Sequence, residues 1–334
     1  MLPTIKDVAR QAGVSTATVS RVLNAMDVVS EQTKLRVEQA IDDLGYQYNA
    51  LARGLKMRES KLIGHIVPSI AGPVSPVLAR AVEDQAQRMG YNVILCNSFE
   101  NSEKEKANIN ILLERRVDGI IFSAPMAPEH LRLVRDRAVP MAIIERRTDL
   151  PGYYCIDPDN LKGAYDAVEH LIGLGHKQVA MIVGPPSAII SRMRLDGYTK
   201  ALSDAGLSAS ADLIAEGNYS RASGYEAMQR FLELNPRPTA VFAANDAMAI
   251  GAMQAASDVG LSIPGDVSFV GFDDTYSELT IPQLTSVHQP LNEIGMLAMK
   301  IVEAQIRSEP GEYPLENMLP CTLTVRKSCG PAPK

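Results

Sequence analysis

Three side chains close to the N-terminus, Thr16, Ala17 and Arg21, are of types that can contact the edges of DNA bases. An arginine can form two hydrogen bonds to guanine, and the methyl groups of threonine and alanine suit thymine. All three fall on the outer face of one short helical pattern. They can read a base sequence only if the neighbouring elements hold that helix in the major groove.

Residues 4–24 predict two short helices joined by a tight turn, because apolar residues recur at helical spacing on both sides of Gly13. Gly13 can take the left-handed conformation that ends a helix, and Ser15 is a suitable N-cap for the next one. A third helical pattern, 30–45, completes a small headpiece. This arrangement favours a helix-turn-helix, whose second helix enters the major groove. An ordinary pair of antiparallel helices is the alternative.

The following segment, 46–60, is basic and carries the two leucines Leu51 and Leu55. A helix of about seven residues is too short to be stable alone in water. Leucine is also one of the side chains that wedge between base steps in the minor groove. Local chemistry alone supports two interpretations equally. The segment either folds when it lies on DNA or is a flexible, solvated tether.

The composition is that of a soluble globular protein of two or three domains, with 46% hydrophobic and 22% charged residues among 334. Residues 1–61 carry 9 Lys and Arg against 7 Asp and Glu, whereas 62–334 carry 24 against 32. A basic head on an acidic body suits a reader of DNA.

No run of 18 apolar residues occurs and the charged start lacks a secretion signal, so we expect a cytoplasmic protein without membrane contact. The four cysteines lie far apart, which favours reduced thiols over disulfides or a metal site. These cysteines are Cys96, Cys155, Cys321 and Cys329.

From residue 61 onward, short β-branched runs alternate with amphipathic helices in two successive series. The predicted strands are 62–67, 92–96, 119–122 and 141–144, then 179–183, 213–215, 240–243 and 267–272, and finally 322–325. The predicted helices are 77–89, 102–115 and 130–137, then 160–173, 194–205, 220–234 and 246–259, and finally 291–306. Such alternation predicts doubly wound parallel sheets, here in two like subdomains with a cleft between them. Ligands in such folds bind at the carboxyl ends of the strands.

Four stretches carry a family resemblance, and they read TIKDVARQAGVSTATVSRVLN, NALARGL, FAANDAMAIGAM and IPGDVSFVGFDD. With the later LTSVHQP and LTVRKSC they make the chain resemble the lactose-repressor (LacI/GalR) family of bacterial transcription regulators. The resemblance covers residues 4 to about 328. It implies an all-α helix-turn-helix headpiece and an α/β core like that of periplasmic binding proteins. The implied domains are a headpiece 1–47, a hinge 48–60 and a core 61–330, with an N-subdomain 61–157 and 289–316 and a C-subdomain 158–288 and 317–328.

The resemblance also implies which residues meet DNA. Thr16 and Ala17, which open the recognition helix, would read bases together with Arg21. Two hinge helices of a dimer would lie in the minor groove, where Leu55 would wedge into the central step. The implied contact residues are Ser15, Thr16, Ala17, Thr18, Arg21, Asn24, Asn49, Ala52, Arg53 and Leu55. Tyr48 stands where the family usually has proline, and this departure and Gly54 both weaken the hinge helix.

In the cleft, the resemblance implies that Arg194, Asn245 and Asp273 hold a small effector. A guanidinium can bond two neighbouring hydroxyls, an amide can donate and accept, and a carboxylate accepts from a hydroxyl pair. Tyr219 would cover the apolar face of the ligand. Further implied cleft positions are Glu145, Arg146, Gln289 and Val74. From the residues alone, Asp273 and Asn245 are as well explained as caps of a turn and of a helix.

Val74 and Ser75 replace the two aromatic residues that the family commonly places after the first cleft strand. A purine would lose its stacking partners there, so we expect a sugar or sugar derivative. Arg192, Arg146 and Arg147 near the cleft would suit a phosphate, carboxylate or uronate group, unless they are simply solvated loop residues.

These features together predict a homodimeric DNA-binding transcription regulator, a repressor, that binds a near-palindromic operator and responds to a carbohydrate. No catalytic residue, cofactor or metal site is predicted, since no phosphate-binding loop and no metal spacing occurs. The alternatives are a global regulator that responds to a protein corepressor, a sugar-binding protein without a regulatory role, and a doubly wound enzyme. The sequence leaves open the effector, its sign of action and the operator.

Overall fold

The computed structural model describes residues 3–23, 29–46, 59–145, 152–309 and 312–333. Contacts divide the chain into two compact units, Met1–Ser60 and Lys61–Lys334. Within the described residues, no helix is long and apolar enough to cross a membrane.

The described residues of the first unit form three helices. They are α1 (Ile5–Ala12), α2 (Thr16–Leu23) and α3 (Glu31–Leu44). Thr4 and Asp7 form a capping box at the start of α1, which satisfies backbone N–H groups that the first turn leaves unpaired. Gly13 ends α1 in the left-handed conformation, with φ +65°. The three helices share one small core of Val8, Ala9, Ala12, Val19, Val37 and Ala40.

The second unit contains two six-stranded sheets. The first is wholly parallel in the order β11 (Glu316–Leu319), β5 (Tyr154–Pro158), β4 (Met141–Ile144), β3 (Gly119–Ser123), β1 (Leu62–Val67) and β2 (Asn92–Asn97). The second has the order β12 (Thr322–Thr324), β10 (Thr285–His288), β9 (Ser268–Asp273), β8 (Ala240–Ala243), β6 (Val179–Val183) and β7 (Ile214–Glu216). All its pairs are parallel except β10 with β12.

Helices cover both faces of each sheet, as parallel sheets require. The first sheet packs against α4 (Val74–Arg88) and α11 (Leu291–Ile306) on one face and α5 (Ser102–Glu114) and α6 (Pro128–Arg135) on the other. The second sheet carries the packed pairs α7 (Asn160–Gly173) with α8 (Ile189–Asp204), and α9 (Arg221–Leu232) with α10 (Asp246–Asp258).

The chain crosses between the two sheets three times, after β5, after β10 and after β11. The last crossing follows Leu319, because β11 pairs with β5 of the first sheet. The sequence-based boundary at residue 316 is therefore three residues too early.

Other differences from the predicted elements have local causes. Helix α4 begins at Val74 rather than at 77, since a proline such as Pro76 is tolerated in a first helical turn. Helix α8 begins at Ile189 rather than at 194, so tertiary packing overrides the low helix propensity of two adjacent isoleucines. Strands β5, β10 and β11 were not predicted.

Candidate nucleic-acid interface and ligand cleft

Helix α2 presents the side chains that the sequence predicted as base readers. Val19 is buried in the headpiece core, whereas Thr16, Ala17 and Arg21 are exposed on the opposite side of the helix. The Ser15 hydroxyl accepts a hydrogen bond from the Thr18 backbone N–H at 3.1 Å, which is the geometry of an N-cap. The N-terminus of α2 is thus fixed, and its outer face is open to a ligand such as DNA.

Several predicted DNA contacts lie outside the described residues. They are Asn24 and the hinge positions Asn49, Ala52, Arg53 and Leu55, together with Tyr48 and Gly54.

In the second unit, the predicted cleft residues follow the carboxyl ends of strands. Asp273 ends β9, while Glu145 and Gln289 come directly after β4 and β10. Asn245 follows β8 and is the N-cap of α10. The topology therefore brings residues far apart in the chain to one place, as in other open α/β folds.

Arg194 is the centre of this group and is only 2% exposed. Its Nε donates to Asn160 Oδ1 at 2.8 Å, and its Nη1 donates to the Ala244 carbonyl and, at 3.5 Å, to Asp273 Oδ1. The guanidinium also lies over the ring of Phe272, 3.7 Å from the ring centroid. A guanidinium held on three sides is pre-organised, which lowers the entropy that ligand binding would cost.

Asp273 is the acceptor of the group. Its Oδ1 accepts from Gln289 Nε2 at 2.7 Å as well as from Arg194, and its backbone has φ +96°. Its neighbour Asp274 bonds Arg326 and Ser277 instead. The alternative that Asp273 serves only as a turn cap does not account for these bonds.

Asn245 does act as a helix cap, as its alternative interpretation proposed. Its Oδ1 accepts from the Met248 N–H at 2.9 Å, and its Nδ2 donates to the Tyr219 carbonyl at 3.1 Å. Tyr219 has φ +63°, and its hydroxyl bonds the Ser191 hydroxyl. The Tyr219 ring lies so close to Gly184 that a Cβ there would fall 2.3 Å from the ring.

The remaining predicted positions are placed differently. Glu145 is half-buried with φ +60°, and its N–H donates to the Ile156 carbonyl. Val74 is the first residue of α4 and packs against the apolar cluster of that face. Arg192 is exposed. Arg146 and Arg147 lie outside the described residues.

A pocket of about 450 Å³ opens between the two subdomains. Its walls come from the start of α4, the end of β9 with the loop after it, and the crossing between β10 and α11. The lining residues are Pro73, Pro76, Val77, Asp273, Asp274, Thr275, Tyr276, His288, Gln289, Leu291 and Asn292. The volume suits a small molecule of one or two rings.

Burial governs the electrostatics of the cleft. Loss of hydration raises the pKa of Asp273 to about 7, with Arg194 opposing the shift and Glu145 adding to it. Burial likewise raises the pKa of Glu145, against the charge of Arg194 and with that of Asp157. Burial therefore disfavours the charged form of both carboxyl groups, and a ligand that donates hydrogen bonds to them would favour that form again.

Sequence reasoning missed Asn160, Phe272 and Ser191, which orient Arg194 and Tyr219. Asn160 opens the predicted helix 160–173 and Phe272 ends a predicted strand, so local pattern marked both as structural. Only the fold brings them to the cleft. Among the described residues, no group of three His, Cys, Asp or Glu side chains is placed to hold a metal ion.

Comparisons with known proteins cover both units. A family profile described as bacterial regulatory proteins, lacI family, matches residues 4–49, and one described as a periplasmic binding protein-like domain matches 168–329. Catabolite control protein A of Priestia megaterium is 40% identical over 331 residues, which cover 97% of this chain and 98% of the relative.

Two solved structures are similar over nearly the whole chain. The Lac repressor dimer bound to operator and the anti-inducer ONPF has a TM-score of 0.89 at 32% identity, covering 99% of this chain and 100% of that one. A complex of the transcriptional regulator CelR with cellobiose has a TM-score of 0.75 at 30% identity, covering 98% and 99%.

Proposed function

Because this chain belongs to the LacI family of bacterial regulatory proteins, we propose that it is a cytoplasmic, homodimeric repressor whose operator affinity is set by a sugar or sugar derivative in the cleft. The family consists of transcriptional regulators rather than enzymes. The strongest support is the buried group of Arg194, Asp273 and Gln289 beside a pocket of ligand size. Burying charged side chains costs free energy. Ionisable groups whose pKa values are shifted and that lie beside a cleft are therefore candidates for a binding site.

DNA binding is assigned to the headpiece 1–47 and the hinge 48–60. The exposed Thr16, Ala17 and Arg21 of α2 would meet base edges in the major groove, and the hinge would lie in the minor groove. A two-fold symmetric dimer would require a near-palindromic operator. The Lac repressor was solved as a dimer on its operator, which supports this assignment.

A sugar is the ligand class that the cleft chemistry fits. The guanidinium of Arg194 and the carboxylate of Asp273 could together clamp neighbouring hydroxyl groups. Val74 and Ser75 offer no aromatic face on which a purine could stack. The similar regulator CelR was solved with cellobiose.

Coupling between the sites would follow from the three chain crossings. A ligand that draws the two core subdomains together would change how the two hinges of a dimer meet the operator. Allosteric coupling energies are typically about 1–3 kcal/mol, enough to shift the folding of a marginal hinge helix.

The test is a binding-site selection with the full chain from random DNA, followed by fluorescence anisotropy on the selected operator with and without sugars. A near-palindromic site and a sugar that changes its affinity are expected. The change should vanish in Asp273→Asn, whereas Asp204→Asn on the exposed end of α8 serves as a matched control. Binding that no carbohydrate alters would reject the sugar assignment and favour a protein corepressor.

Leu55→Ala tests the hinge assignment separately. If the leucine wedges into the central base step, the variant binds operator more weakly but binds the effector unchanged. Equal affinity and equal bending of the operator would reduce Leu55 to a packing role.

A further inference from the structure

Resting on the proposed function, we propose that the cleft takes an uncharged, hydroxyl-rich sugar and rejects the phosphorylated or carboxylated form of the same sugar. This assignment goes against the arginine-based expectation of an anionic group. It follows from the donors, acceptors and charges that the described part of the cleft offers.

The guanidinium and amide donors around Asp273 are mostly engaged within the protein, whereas the Thr275 hydroxyl in the pocket wall has no partner among the described residues. Arg194 uses its Nε on Asn160 and its Nη1 on Ala244 and Asp273. Asn245 uses its amide on Met248 and Tyr219. Within the described residues, Nη2 of Arg194 is left as a cationic donor, and one such donor can be satisfied by a neutral hydroxyl or ring oxygen.

Acceptors, in contrast, are left open. Gln289 is 1% exposed and lines the pocket, yet its Oε1 accepts no hydrogen bond from the described residues. Asp273 takes both of its bonds on Oδ1, which leaves Oδ2 for another donor. The Glu145 carboxylate makes no hydrogen bond to the described residues, although it lies close enough to Arg194 to feel its charge. A buried acceptor without a donor, such as Gln289 Oε1, is costly, so the complementary ligand is one that donates.

The charges point the same way. In the described part of the cleft, the charge of Asp157 acts on Glu145 and that of Glu145 acts on Asp273, while the guanidinium of Arg194 opposes both effects. The Asp273 carboxylate also acts on the buried Asp246. Burial and mutual repulsion already raise the pKa of Glu145 and of Asp273. A phosphate or carboxylate would add negative charge beside these carboxyl groups, which outnumber the guanidinium of Arg194 among the described residues around Asp273.

The basic side chains near this group are engaged elsewhere or exposed. His288 lies 3.3 Å from Asp274, and Arg326 bonds the same carboxylate at 2.6 Å. Arg192 is exposed. Arg146 and Arg147 lie outside the described residues, so the experiment must be able to detect an anion that they would hold.

Matched pairs of ligands provide the test on the full-length protein. The probes are glucose with glucose 6-phosphate and glucuronate, galactose with galactose 6-phosphate and galacturonate, ribose with ribose 5-phosphate, and cellobiose with cellobionate. Thermal unfolding is followed for each, and any probe that shifts it is titrated by calorimetry. We expect a neutral sugar to bind at least about tenfold more tightly than its anionic partners. A factor of ten corresponds to an electrostatic interaction that shifts a pKa by one unit.

Variants separate the cleft from the DNA-binding head, which can itself attract phosphate. Glu145→Gln should narrow the preference for the neutral sugar severalfold, whereas Glu129→Gln on the exposed face of α6 should leave it unchanged. Inorganic phosphate should give no stabilisation that depends on Arg194.

The outcomes separate the two proposals. A phosphorylated or acidic sugar that binds as tightly as its parent, or discrimination that Glu145→Gln leaves intact, would overturn the charge argument while the sugar-responsive function stands. Silence of every carbohydrate, in unfolding and in operator binding, would reject the function itself and this inference with it.

Discussion

Replacing Arg194 by methionine should reveal the buried charge of the cleft without any knowledge of the effector. The substitution keeps a long apolar side chain over Phe272, but it leaves Asn160 Oδ1 and the Ala244 carbonyl without their donor and Asp273 without its cation. Removing one partner of a buried ion pair costs about 3–5 kcal/mol. We expect a loss of that size in the free energy of unfolding at pH 8.

The loss should be smaller in acid. Burial raises the folded-state pKa of Asp273 to about 7 from 3.8, so the folded protein binds this proton more tightly than the unfolded chain. The contribution of Asp273 to the free energy of unfolding therefore falls as the pH rises from about 4 to 7. Arg194→Met raises the folded-state pKa further, and each added unit costs about 1.4 kcal/mol at high pH. At pH 5, where Asp273 is largely protonated in the folded protein, only the cost of the lost hydrogen bonds contributes to the destabilisation, about 1–3 kcal/mol.

A double-mutant cycle with Asp273→Asn assigns the effect. The Arg194 Nη1 to Asp273 Oδ1 distance is long, 3.5 Å, so we expect a coupling of about 1–3 kcal/mol at pH 8. Urea unfolding followed by circular dichroism at fixed protein concentration measures it, since the chain has no tryptophan. Additive single-variant effects within about 0.5 kcal/mol at pH 8, or a loss that is the same at pH 5 and pH 8, would refute the charge argument.

Three further predictions concern other parts of the chain. Arg21→Ala should weaken specific operator binding by about 1–3 kcal/mol in an anisotropy assay, more than Arg36→Ala on α3, and unchanged sequence preference would contradict its role. Affinity for the effector sugar, measured by calorimetry, should rise about five- to tenfold from pH 6 to pH 8, because hydroxyl donation favours ionised Asp273, whose pKa burial raises to about 7. An affinity that is the same at both pH values would show that this ionisation does not control binding. Gly251→Ala should destabilise the core by about 1–3 kcal/mol, since a Cβ there would fall 1.9 Å from the backbone oxygen of Arg221 in α9. Gly173→Ala is the control, because a Cβ at that position meets open space. Equal unfolding midpoints of the two variants would show that the helices adapt.

The sequence predicted the elements that rest on strong periodicity. Strands β1, β4, β6 and β8 and helices α7 and α11 have the predicted bounds, because each combines a continuous apolar run or stripe with clear end signals. The missed strands lack that signal. β5 ends in Asp157 and Pro158, and β11 is an edge strand that alternates exposed and half-buried residues. Pairing identifies them in the structure, since β5 lies between β4 and β11.

The cleft was partly predictable for a different reason. Asp273, Glu145 and Gln289 follow strands, so topology alone places them at the carboxyl edge. The position of Arg194 in the middle of α8, and its bond to Asn160, depend on how two helices pack. No periodicity encodes such a contact, and short-range patterns explain Asn160 equally well as the start of a helix.

The placement of the polar residues bears on how a ligand could act at a distance. Asn160 and Gln289 each lie just past a point where the chain crosses between the sheets, and they bond Arg194 and Asp273 respectively. The clamp is therefore attached to two of the three crossings, and a ligand that repositions it would act directly on segments that connect the two sheets. In such an arrangement binding and switching share residues. A substitution at Asn160, which bonds Arg194, should therefore alter the ligand-induced change in operator affinity more than ligand affinity itself. A position that only supported the pocket would change affinity alone.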